Sequence, residues 1–173
     1  MSRGGARIVI TTMRPRLVVA LLGIGLSAFA GQRVAAQQVQ ITKLADFTFG
    51  LVSPTASDLS QSKNVCISSN NVGGRYNIRA TGSGSGGAFA LAGVGSPMPY
   101  EVEWSASPGQ STGTALVAGV ALSGLTTTGL GLNLNCALGN DSASLIVVLR
   151  SASLGKATAG AYSGTLTLLV AAE

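Results

Sequence analysis

Histidine is absent from this 173-residue chain, and charged residues make up only 10% of it. The missing histidine removes the commonest general base and the commonest metal ligand. It also excludes a Ser-His-Asp triad, and the sequence contains no G-x-S-x-G motif. We therefore predict a protein that is not an enzyme and that uses no cofactor and no metal ion.

The net charge of +5 is confined to one end of the chain. From Gln37 onward, six basic residues balance six acidic ones, so this part is neutral. A nucleic-acid-binding domain would carry a basic surface, and we predict no nucleic-acid partner here. The excess positive charge comes from five arginines before residue 37: Arg3, Arg7, Arg14, Arg16 and Arg33.

The N-terminal region has the three-part form of a secretory signal. Basic residues precede an apolar run at residues 17–26, which is too short and too glycine-rich for a comfortable membrane span. Small residues follow, and we predict cleavage after Ala36, with Ala30 as the alternative. Residues 1–36 are then a signal peptide, and residues 37–173 form one exported domain without a membrane span. An uncleaved anchor is the other interpretation, and Met13 is an alternative start because Met1 to Thr12 add nothing that a signal needs.

Only two cysteines are present, Cys66 and Cys136. Export to an oxidising compartment favours a disulfide bond between them. Two distant thiols make a poor metal site, and a catalytic cysteine would lack a histidine partner. We predict a structural disulfide.

The C-terminal segment alternates apolar and small polar residues, which is typical of a strand with one buried face. Its predicted core-facing residues are Tyr162, Leu166, Leu168 and Val170. Residues 144–150 are apolar on both faces and predict a central strand, whereas residues 64–68 and 75–80 predict a hairpin across an Asn/Gly-rich turn. Short strands separated by turns predict an all-β sandwich of about seven to eight antiparallel strands, preceded by the signal peptide.

Four features invite a chemical interpretation, and each has a simpler structural one. Residues 82–87 match G-x-G-x-x-G, but no helix pattern follows, as a dinucleotide site requires. Glu101 and Glu103 share a strand face, as a pair of catalytic carboxylates could, but we predict that this face is solvated. Trp104 is more consistent with the core than with an exposed sugar platform, because Tyr100 and Val102 share its face. Residues 140–142 form an N-glycosylation sequon, which matters only in a host that glycosylates, and a turn is the simpler interpretation.

The two ends of the predicted mature domain resemble a known family. Residues 159–168 (AGAYSGTLTL) resemble the terminal strand of spore coat protein U-like domains, the pilin-like subunits of archaic chaperone–usher systems. Residues 41–50 (ITKLADFTFG) are similar to the "D-hydrophobic-x-FG" entry of the same and related families. The early cysteine that many members carry before this motif is absent.

The resemblance implies an immunoglobulin-like (pilin-like) β-sandwich that lacks its final strand. Its groove would be filled by a periplasmic chaperone and then by the N-terminal arm of another subunit, after delivery to an outer-membrane usher. It identifies Val39 and Ile41 as a donor arm, and Tyr162, Leu166, Leu168 and Val170 as the acceptor strand. The expected function is a non-catalytic structural subunit of a bacterial surface fibre or coat, which passes through the periplasm to the cell surface. An arm of residues 37–43 is short for strand donation, which leaves two alternatives. The chain is either a terminal subunit or a self-contained exported sandwich, and the latter would bind a ligand such as carbohydrate through the loops near residues 82–99.

Overall fold

The computed structural model describes residues 6–12, 37–127, 136 and 138–173. Two sheets pack around one core, which confirms the predicted all-β sandwich. Of the predicted signal peptide at residues 1–36, residues 6–12 form a strand, and the rest, with both predicted cleavage positions, lies outside the described residues. The described residues form twelve strands rather than seven or eight, because several are short pieces of two to four residues. The strands are β1 (Ala6–Thr12), β2 (Val39–Thr42), β3 (Phe47–Gly50), β4 (Leu59–Ser69), β5 (Arg75–Gly82), β6 (Ala90–Gly93), β7 (Met98–Pro99), β8 (Glu101–Ser105), β9 (Thr114–Ala115), β10 (Ala121–Thr126), β11 (Ala143–Leu149) and β12 (Tyr162–Ala172).

The first sheet has the order β10-β5-β12-β1-β3, with β6 and β7 attached beside β12. The second has the order β2-β4-β11-β8-β9. Neighbouring strands are antiparallel except for β1, which runs parallel to β12. A single-turn helix at Ser151–Leu154 leads from β11 towards β12. No helix in the described part of the chain is both long and apolar enough to cross a membrane.

The core lies between the two sheets and is densest around β11. All seven residues of β11 are buried, which confirms the predicted central strand. Trp104 on β8 and Tyr76 on β5 connect the sheets: the indole Nε1 donates a hydrogen bond of 3.1 Å to the Tyr76 hydroxyl, and the rings meet edge to face. Both side chains are about 1% exposed. Trp104 is therefore a core residue, as the shared face with Tyr100 and Val102 predicted.

The predicted hairpin around residues 70–74 is wrong. Strands β4 and β5 belong to different sheets, so the turn carries the chain across the sandwich instead of back along the same sheet. Asn71 is buried, and its Nδ2 donates to the carbonyl oxygens of Arg75 and Glu173, each at 2.6 Å. Gly73 and Gly74 have positive φ values of 83° and 61°, a conformation that glycine adopts without strain. This buried asparagine directs the chain towards the first sheet.

The predicted disulfide between Cys66 and Cys136 is present, with a Cα–Cα distance of 5.6 Å. It closes a 70-residue separation in the chain. Cys66 lies on β4 opposite Thr42 of β2, and its side chain is fully buried. The bridge therefore begins at the point in the second sheet where the N-terminal arm is paired.

Candidate functional site

The closing strand β12 has the two faces that its sequence predicted. Tyr162, Leu166 and Leu168 are between 0% and 5% exposed, and Val170 is half-buried against the same core. Leu169 on the other face is 51% exposed. Along one edge, β12 pairs with β5 and, at its start, with β6.

The other edge of β12 is occupied by β1. Seven consecutive residue pairs join the two strands in parallel, from Ala6 opposite Tyr162 to Thr12 opposite Leu168. On its far side β1 pairs with β3 in antiparallel orientation, where Ile8 is opposite Phe47. Strand β1 thus joins β12 to β3, and the backbone of each neighbour bonds to it.

We call the edges of residues 162–168 on β12 and of β3 (Phe47–Gly50) the acceptor groove. Without β1 these two edges would face each other across one missing strand, a gap of about 9–10 Å. Their N–H and C=O groups would lose their sheet partners there, at a cost of the order of 1 kcal/mol or more for each buried group. Phe47 lies on the core side of β3 and is fully buried. The groove therefore needs a strand to complete the first sheet.

The occupant of the acceptor groove differs from the expectation. We predicted a free edge that awaits either the chain's own residues 39–43 or a neighbour's arm, whereas the structure places Ala6–Thr12 there. Of the four predicted groove residues, Tyr162, Leu166 and Leu168 lie in the stretch beside β1. Val170 lies beyond it and is paired only with Ile78 of β5 among the described strands.

The predicted donor residues Val39 and Ile41 lie on β2, which pairs with β4 in the second sheet. The arm is further held at both of its ends. The Gln38 N–H donates to Asn70 Oδ1 at 2.6 Å. Lys43 donates to the Gly139 carbonyl oxygen and forms an ion pair of 2.7 Å with Asp141. Donation of this arm to another subunit would require all of these contacts to break, and the donor role stays a prediction.

A cavity of about 210 Å³ lies at the end of the acceptor groove where β1 begins. Its wall includes Gly50 and Tyr162, the two residues that are paired with Ala6. Apolar side chains such as Met98 and Leu154 line the rest. The Tyr162 hydroxyl donates to the Val94 carbonyl oxygen at 3.0 Å, which fixes the ring at the cavity wall. The volume is below the roughly 300–1,000 Å³ typical of pockets for drug-sized ligands.

The two glutamates of β8 point away from the core, as predicted, and both accept structural contacts. Glu101 forms an ion pair of 2.5 Å with Arg150, and Arg150 also pairs with Asp58 at 2.8 Å. Glu103 Oε2 accepts a hydrogen bond from the Gly113 N–H at 2.8 Å. These carboxylates connect β8 to neighbouring loops. In the described part of the chain, no three His, Cys, Asp or Glu side chains are grouped to hold a metal ion.

The glycine-rich stretch and the sequon both have structural partners. Residues 82–87 run from the end of β5 through a 3-10 turn at Ser85–Gly87, and strand β6 follows. Both strands run antiparallel to β12 along the same edge, so residues 83–89 interrupt that edge and do not form the strand-to-helix turn that binds a pyrophosphate. In the sequon, the Ser142 hydroxyl is buried; it accepts from the Ile67 N–H at 2.8 Å and donates to the Ile67 carbonyl oxygen at 3.1 Å.

The sequence analysis missed β1 as part of the site. Residues 8–12 (IVITT) are β-branched without exception, a composition enriched in strands. This composition predicts a strand, but residues 8–12 precede the apolar run at residues 17–26 and fall within the predicted signal peptide. Comparisons of the chain with protein-family models and with curated proteins found no match.

Proposed function

We propose that this protein is a non-catalytic, secreted structural subunit of a bacterial surface fibre or coat, assembled by β-strand donation through a chaperone–usher route. The observation that carries the proposal is the insertion of β1 between β12 and β3. The first sheet has a position that a sequence-distant strand fills, and a partner's strand fits the same position by the same backbone bonds. The subunit would pass through the periplasm and function at the cell surface.

The two segments that resemble spore coat protein U-like domains lie on opposite sides of this position. Residues 41–50 end in β3, and residues 159–168 contain the start of β12. Strand β1 pairs with both of them. The segments that carry the resemblance therefore include the two strands that border this position.

Strand addition suits the chemistry of this surface. An extended partner gains affinity from main-chain hydrogen bonds, and its alternate side chains give specificity. An uncovered edge of this kind also promotes unwanted pairing and aggregation. A subunit with an open acceptor groove therefore needs a chaperone until its permanent neighbour arrives.

The paired state of the arm favours the acceptor role over the donor role. Val39 and Ile41 are committed to β4, and both pack partly against the core. A subunit that accepts a strand but keeps its own arm would end a fibre.

A double variant tests this terminal role. If the arm is not a donor, Val39→Asn with Ile41→Asn should leave capture of a partner strand intact, and Gln40→Ser at an exposed position is the matched control. Loss of self-polymers in the double variant alone would instead identify residues 39–41 as the donor.

The proposal is tested by purification from the periplasm of a Gram-negative host that carries the cognate secretion genes. We expect the chain in a complex with a strand-donating protein, or in polymers that survive mild detergent. The complex should lose its partner when a synthetic strand peptide is added in excess. A strictly monomeric, stable product without bound chaperone and without polymer would contradict the proposal.

A self-contained exported sandwich that binds a ligand such as carbohydrate is the second candidate. It is favoured by the fact that the chain's own residues fill the acceptor groove. Mass spectrometry of the exported protein separates the two candidates. A stable monomer that retains Ala6–Thr12 supports self-containment, whereas a product that begins at Gln37 or Gly31 supports strand acceptance.

A further inference from the structure

The fit of β1 in the acceptor groove is continuous. All seven residues of β1 pair with β12 without a break, and three of them also pair with β3. The single irregularity lies between Ala6 and Arg7 on the β3 side. Such a register occupies the groove from Tyr162 to Leu168 and leaves no space there for a second strand.

The predicted cleavage of the signal peptide would remove β1 from the rest of the chain. Both predicted cleavage positions, after Ala30 and after Ala36, lie between β1 and β2. Cleavage at either one separates Ala6–Thr12 covalently from the sandwich. The strand that completes the first sheet is then no longer part of the mature chain.

From this register and the predicted cleavage positions we infer that Ala6–Thr12 is a built-in occupant that closes the acceptor groove in the unprocessed chain, and that removal of the N-terminal segment opens the groove to a partner's strand. The inference rests on the proposed function and adds a regulatory step to it. It applies to chains that fold before they are processed, since only then are β1 and the sandwich on the same side of the membrane.

Tethering explains why the closure is effective. Covalent connection makes the pairing of β1 an intramolecular event. Such tethering favours a strand over an otherwise equal free strand by roughly 10²–10⁴-fold. Cleavage abolishes this advantage without any change in the groove itself.

The test uses the full chain with a specific protease site inserted between Ala36 and Gln37, synthesised in a cell-free, oxidising system. The probe is a fluorescent peptide with the sequence of residues 6–12 (ARIVITT) between soluble flanks, and its binding is followed by anisotropy. We expect no binding at 1 µM probe before the cut, and saturable binding after the cut and removal of the released fragment. The Thr165 N–H bonds to Ser83 on the edge away from β1, so the alternating amides of residues 164, 166 and 168 face β1. Exchange at these three amides should be slow before the cut and accelerate after removal of the fragment unless the probe is present.

A second pair of variants tests the inference without a cut. Val9→Pro removes a backbone N–H from the middle of β1, whereas Val9→Thr keeps the N–H and a β-branched side chain. The uncut Val9→Pro chain should bind the probe and the uncut Val9→Thr chain should not. If Val9→Pro fails to fold, the cut chain alone decides the result.

The outcomes separate this inference from the function on which it rests. Equal probe binding before and after the cut, or rapid exchange at residues 164, 166 and 168 in the uncut chain, would overturn the inference but leave strand acceptance in place. A cut chain that stays folded after removal of the fragment, keeps these three amides protected and binds no probe would overturn both.

Discussion

Two leucines on the closing strand offer a direct test of its orientation. Leu166 is fully buried in the core, whereas Leu169, three residues further along β12, is 51% exposed. We predict that Leu166→Ala lowers the free energy of unfolding by about 3 kcal/mol, within the range measured for buried leucine-to-alanine changes. Leu169→Ala should cost no more than about 0.5 kcal/mol, as surface substitutions usually do.

The structure explains why Leu166→Ala should cause a large loss in the free energy of unfolding. Its partner across the sheet on β5 is Gly82, which has no side chain that could move into the space left by the lost leucine atoms. A Cβ at Gly82 would come within 2.1 Å of the Ala88 carbonyl oxygen, so the backbone of the following loop already closes that side. The cavity therefore stays largely unfilled, and an unfilled cavity adds to the loss of buried apolar surface.

The assay is urea unfolding followed by the fluorescence of Trp104, the single tryptophan of the chain, which is buried in the core. Because both variants replace leucine by alanine on the same strand, the change in strand propensity is common to them and cancels in the comparison. The expected loss for Leu166→Ala corresponds to a fall in Tm of roughly 10 °C at about 3 °C per kcal/mol. Equal losses, or a larger loss for Leu169→Ala, would refute the assignment of the buried face.

Two further predictions concern stability. Reduction of the bridge, or replacement of Cys66 and Cys136 together by alanine, should lower the free energy of unfolding by about 4 kcal/mol, because the loop that it closes is long; a loss under about 1 kcal/mol in urea unfolding would contradict this. The Ser151 N–H bonds to the Asp58 carboxylate, and together with the Arg150 guanidinium it lowers the pKa of Asp58 from 3.8 to about 2. The folded state therefore gains stability from this carboxylate above pH 4 and loses it as the pH falls from about 4 to 2. Asp58→Asn should flatten the dependence of Tm on pH in that window, and an unchanged slope would exclude Asp58 as its source.

Elements with a clear alternation were predictable from the sequence because burial on one face is a local property. The core-facing residues of β8 and β12 and the uniformly buried β11 were all identified in this way. The start of strand β4 was not: we predicted a strand at residues 64–68, whereas β4 begins at Leu59. Residues 60–64 are polar, and their strand conformation depends on the ladder with β11, a partner some eighty residues away in the chain.

The predicted hairpin shows a different limit. Asn70 to Gly74 have the composition of a turn, and a turn is present. Composition fixes the local backbone, but the sheet that the chain enters next depends on distant contacts. Here Asn71 bonds to the carbonyl oxygen of Glu173, 102 positions along the chain, and no local pattern contains that information.

In the acceptor groove, the buried face of β12 was predictable from the sequence, but the strand that pairs with its edge was not. Side chains decide which face of β12 is buried, so Tyr162, Leu166 and Leu168 could be assigned from their spacing. The edge of the same strand presents only N–H and C=O groups, which nearly every residue carries, so many strands can pair with it. The choice among them then depends on which strand is nearby, at what effective concentration, and for how long it stays tethered. Under the proposed processing, a single cleavage between β1 and β2 would change all three without altering one residue of the groove. The state of the groove would then depend on the N-terminal segment more than on the groove's own sequence.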